Sequence, residues 1–68
     1  MNKVLELLKE RERSKLWLAK KMVISHQSLD YKIEHDTFTP EQKIDAARWL
    51  GVTVADLFPE TVQEVVLS

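Results

Sequence analysis

The 68 residues are enough for one small domain, because folding at this size buries only about 60% of the unfolded surface, and a large enclosed active site is not expected. There is no cysteine, so a disulfide framework and a thiolate metal site are excluded; no apolar run approaches bilayer length and the first residues do not read as a signal peptide, so a soluble cytoplasmic chain is expected. The net charge of −1 conceals an asymmetry, +3 over residues 1–35 against −4 over residues 36–68, and the first half therefore offers a positive field, although a solvated helix face would carry the same charges.

In chain order, Val4, Leu5, Leu7 and Leu8 recur at helical spacing among Lys3, Glu6, Lys9 and Glu10, which predicts a first helix ending near Arg11 to Arg13. Ser14 is placed to cap a short second helix whose inner stripe is Leu18, Ala19 and Met22. Val23 and Ile24 make a turn, and Ser25 caps a third helix on which Leu29 and Ile33, four apart, share one face. Thr39-Pro40-Glu41-Gln42 is a start signal for a fourth helix: a capping threonine, proline at the first helical position, and a glutamine completing a capping box. Ile44, Ala47 and Leu50 are assigned to its inner side, and Gly51, the only glycine, ends it in a left-handed conformation. Thr53 caps a short fifth helix, stopped at Pro59. The expected fold is all-α, one domain over residues 1–58 with a tail over 59–68. The turn from Val23 to Ser25 is too short for antiparallel packing of helices 2 and 3, which predicts a helix-turn-helix.

Helix 3 begins with uncharged polar side chains where a solvated surface would more simply carry charge. With Leu29 and Ile33 inward, its outward face near the N-terminus carries His26, Gln27, Ser28 and Tyr31. Gln can bond adenine bidentately, His can donate to a purine N7 or a phosphate, and Tyr can lie against a thymine methyl. The plainer alternative is that such residues are tolerated at any exposed helix start.

The segments SKLWLAKKM, ISHQSLDYKIE and LGVTVADLF, in this order and spacing, resemble the lambda-repressor-like helix-turn-helix domains of bacteria and phages, which include the Cro-type regulators. The resemblance spans Val4 to Phe58. It implies a five-helix DNA-binding domain that acts as a homodimer on paired half-sites of double-stranded DNA, usually as a repressor or switch protein. It implies base reading by His26, Gln27 and Tyr31, with Ser28 beside them, and backbone contacts from Ser14, Lys15, Thr37, Thr39 and Lys43, to which Lys32 is added from the flank of helix 3. The sequence departs from the pattern it resembles at Glu12, where Gly or Asn is common, at Val23, where the helix-turn-helix glycine is common, and at Asp36-Thr37-Phe38, which replaces a loop that is often basic. A β-branched Val23 resists positive φ.

Trp49 points away from the assigned inner side of helix 4, so the tail or a second subunit is expected to cover it. In the tail, Val62, Val65, Val66 and Leu67 suit either a strand paired across a dimer or an extra helical turn. Trp17 is expected to cap the core between helices 1 and 2. His26 and His35 match no zinc spacing, and no phosphate loop, nucleophile elbow or acid pair is present, so neither a metal, a cofactor nor an enzyme is expected. A different class of function stays open: a protein-interaction or antitoxin-like module on the same fold, meeting a protein partner through Trp49 and the tail.

Overall fold

A computed structural model describes residues 2–59. They form five helices and no strand: α1 (Val4–Glu10), α2 (Lys15–Met22), α3 (His26–His35), α4 (Pro40–Leu50) and α5 (Val54–Leu57). The predicted tail contacts at Val62, Val65, Val66 and Leu67 lie outside the described residues.

The helix starts are set by side-chain caps. Ser14 Oγ accepts from the Trp17 amide, Ser25 Oγ from the Ser28 amide, and Thr39 Oγ1 from the Gln42 amide. Gln42 Oε1 accepts in return from the Thr39 amide, and Thr53 and Asp56 repeat this reciprocal pair at α5. Each box satisfies two amides that the first turn would otherwise leave open. α1 is the exception: Lys3 provides no side-chain cap, and Asn2 Oδ1 instead accepts from the Val4 amide at 3.2 Å.

The helix ends share another device. Glu12, Val23, Asp36 and Gly51 all have positive φ, between 55° and 71°. After each, the next amide reaches back five residues: Arg13 to Leu8, Ile24 to Ala19, Thr37 to Lys32 and Val52 to Ala47, at 2.8–3.2 Å. This closure satisfies carbonyls that the helix leaves free. Only one of the four left-handed positions is glycine. Val23 and Glu12 therefore adopt a backbone that L-residues resist, and the turns are built without Gly or Asn at these positions.

The core is Val4, Leu8, Leu18, Ala19, Met22, Leu29, Phe38, Ala46, Ala47, Leu50, Leu57 and Phe58. Phe38 and Phe58 meet edge to face at 5.2 Å. α2 packs against both α3 and α4, and α4 against α5. Trp17 is half-buried against this core, with the Arg13 guanidinium 5.0 Å over its ring. Polar ties close the remaining gaps. The Lys3 amide donates to the Leu57 carbonyl at 3.0 Å, Asn2 Nδ2 to the Ile33 carbonyl at 3.1 Å, and Arg11 Nε to the Leu50 carbonyl at 2.8 Å. The last places a cation at the negative end of α4.

One assignment is corrected. Ile44, which helical spacing assigns to the inner side of α4, is instead 54% exposed. Ala46, Ala47 and Leu50 are the buried residues of this helix. Two adjacent alanines let α4 approach its neighbours closely and rotate the inward direction away from Ile44.

Candidate nucleic-acid interface

α3 is held by two apolar anchors. Leu29 is fully buried, and Ile33 is half-buried against the same core. α2 and α3 are joined by Val23, Ile24 and Ser25 alone. Ile24 packs on the core while Val23 is 88% exposed. The anchors leave the other side of α3 to solvent: His26, Gln27, Ser28 and Asp30 are exposed, and Tyr31 is 58% exposed. The four predicted base-reading residues are thus all exposed, spread over the first one and a half turns. The Tyr31 ring stacks on His35 one turn on, with centroids 4.2 Å apart, so in the free protein it lies along the helix toward its C-terminus.

The predicted backbone-contacting residues divide into two groups. Ser14 and Lys15 open α2 and are brought to α3 by an ion pair, Lys15 Nζ to Asp30 Oδ1 at 2.5 Å. That hydrogen bond, and then the lysine charge, hold the Asp30 carboxyl below its usual range. Ser14 Oγ uses a lone pair on the Trp17 amide, and its hydroxyl proton remains able to donate. The second group surrounds the exit of α3. Thr37 and Thr39 are exposed there, and Lys32 is half-buried. Lys43 lies with its ammonium 5.4 Å from the Phe58 ring and contributes to lowering the Asp36 carboxyl, after the larger effect of the Asn2 amide.

Asp30, Asn2 and Lys21 are site-side residues that sequence reasoning passed over. Asp30 is a flank residue on its own helix, and nothing local announces a partner fifteen positions earlier. Asn2 Nδ2 also donates to Asp36 Oδ1 at 3.0 Å, tying the chain ahead of α1 to the turn after α3. Lys21 places its ammonium 5.1 Å from the Trp49 ring, and Trp49 is 40% exposed.

Among the described residues, no group of three or more acidic or histidine side chains lies together, and no helix is long and apolar enough to cross a membrane. The chain matches no protein-family model, and no curated protein or solved structure is significantly similar to it.

Proposed function

We propose that the protein is a sequence-specific DNA-binding regulator of transcription, of the lambda-repressor-like helix-turn-helix kind, working as a homodimer on an inverted repeat in a bacterial or phage-infected cytoplasm. The observation that supports this most is the solvent face of α3, where His26, Gln27, Ser28 and Tyr31 stand exposed on a helix anchored by Leu29 and joined to α2 by three residues. In this reading α3 enters the major groove with its N-terminal end leading. Gln27 bonds an adenine edge, His26 a purine N7, and Tyr31 swings from His35 to a thymine methyl or a phosphate. Lys15 exchanges Asp30 for a phosphate, and Ser14 donates its hydroxyl beside it. Phosphate contacts fix the register, while the uncharged residues carry the sequence information.

The test is selection from a random duplex library, followed by titration of the winner at two salt concentrations. The reading requires an inverted repeat with half-sites about one helical turn apart. Gln27→Ala should then cost about 1–3 kcal/mol of specific binding, concentrated at one base pair per half-site. Affinity and preferred sequence unmoved by Gln27→Ala would show that the wrong face has been assigned.

A second reading draws on a separate observation, the exposure of Trp49 and Ile44 on α4. A protein-interaction or antitoxin-like module would use such apolar surface on a protein partner. It would show no salt-dependent binding to any duplex, whereas an autoregulating antitoxin would show both activities.

A further inference from the structure

The outward side of α4 combines an exposed aliphatic residue with two opposite charges. At about 100° per residue, Glu41, Ile44 and Arg48 fall within roughly 60° of one another, away from the buried Ala46, Ala47 and Leu50. Ile44 is 54% exposed and lines an open groove of about 310 Å³ together with Met22, Glu41, Gln42, Asp45 and Arg48. Met22 is 92% buried, with 8% of its surface left open, so the groove is lined by apolar and charged residues together. Glu41 and Arg48 are exposed, and neither side chain forms an ion pair or hydrogen bond among the described residues.

These charges are arranged for self-recognition. Around a two-fold axis, two antiparallel copies of a helix bring together residues whose numbers add to a constant. An axis passing beside Ile44 sets each Glu41 against Arg48 of the second copy, twice per pair. The same axis brings the two Ile44 side chains within about one residue's rise of each other, 1.5 Å along the helix. Glu41 and Arg48 give each face one acid and one base at matching positions, and Asp45, half-buried at the groove, is set by the same axis against Ile44 rather than against a second carboxylate. An unrelated partner would have no reason to match both the sign and the seven-residue spacing of the pair.

We propose that this face of α4 is a homodimer contact, with two α4 helices antiparallel about a two-fold axis beside Ile44 and each Glu41 paired with Arg48 of the second copy. The contact needs no DNA, so it stands or falls separately from the function proposed above.

Sedimentation equilibrium of the full chain without DNA, from micromolar to millimolar concentration, tests it. Wild type should self-associate. Ile44→Asp should remain monomeric with unchanged helical circular dichroism, because the side chain lies outside the core. Glu41→Arg leaves two bases on the face and Arg48→Glu two acids, so each variant alone should weaken self-association on the order of tenfold or more. Mixed in equal amounts, the two variants should associate with each other at about wild-type strength, because both ion pairs re-form across the axis, and the double variant E41R/R48E should recover self-association. A wild type monomeric throughout, a dimer indifferent to Ile44→Asp, or a mixture no stronger than its separate components would overturn the proposal.

Discussion

Replacing Val23 with glycine should stabilise the protein, although it deletes an apolar side chain. Val23 sits at φ 58° and ψ 46°, a conformation that costs an ordinary L-residue roughly 1–2 kcal/mol, with a β-branched residue at the upper end. The side chain is 88% exposed, so the burial lost is a small fraction of the roughly 1.5–3 kcal/mol that full burial of a valine is worth, about 0.3 kcal/mol. Glycine's greater freedom in the unfolded chain takes back about 0.5–1 kcal/mol. The difference is a net gain of about 0.5–1 kcal/mol, or a rise of roughly 3–6 °C in Tm for a domain of this size. Thermal melts and urea titrations at neutral pH measure it, and the urea slope should not change. Val23→Ala should fall between the two, since it loses the branch but keeps a Cβ at positive φ. A glycine variant that melts at or below the wild-type temperature would refute the reasoning, and would mean that the strain is small or that the Val23 methyls hold something in place.

Three further outcomes follow from contacts already described. Leu29→Ala, at a fully buried site, should cost about 2–5 kcal/mol, a large share of the stability a 68-residue domain commands, and urea titration should show α3 melting with the rest rather than separately. Asp36 and Asp30 both have carboxyls held below the usual 3.8, so the folded state binds their protons less readily than the unfolded chain; their contribution is complete above the ordinary carboxylate range and lost as pH falls through it to the lower folded values. Urea midpoints should therefore drop as pH is lowered from about 5, and Asn2→Ala should make that drop shallower by removing the main cause at Asp36. Asp30→Asn should tighten binding to any duplex a few-fold and steepen its salt dependence, since Lys15 no longer has to leave a carboxylate, and in a Lys15→Ala background the gain should shrink; an equal gain there would show that Asp30 repels phosphate directly.

The parts of the fold that could be read from the sequence are those whose chemistry is local. Ser14, Ser25, Thr39 and Thr53 announce their helices because a hydroxyl one residue ahead of a helix has one obvious use, and Pro40 and Gln42 reinforce it. Leu18, Ala19, Met22 and Leu29 were legible by spacing. Ile44 was misread because spacing weights large residues over small ones, whereas the packing selected Ala46, whose value lies in the closeness of approach it permits. On the solvent face of α3, Gln27 and Tyr31 follow from Leu29 and Ile33 by rotation, whereas His26 is exposed because it stands at the helix start. The Lys15–Asp30 pair, the Asn2 bridge and the Lys21–Trp49 contact join residues 15 to 34 positions apart, and only the folded chain brings them together.

The Lys15–Asp30 pair also has a consequence for rates. Any anion that Lys15 takes up must displace a carboxylate held in place by the fold, and that carboxylate remains tethered nearby at a high effective concentration. Whenever thermal motion loosens the anion, Asp30 competes to recapture the ammonium before the anion can return. On the proposed DNA-binding reading, the pair would therefore act on the lifetime of complexes as well as on their affinity. It shortens the dwell of Lys15 on a badly placed anion and leaves a long dwell only where other contacts keep the anion in position.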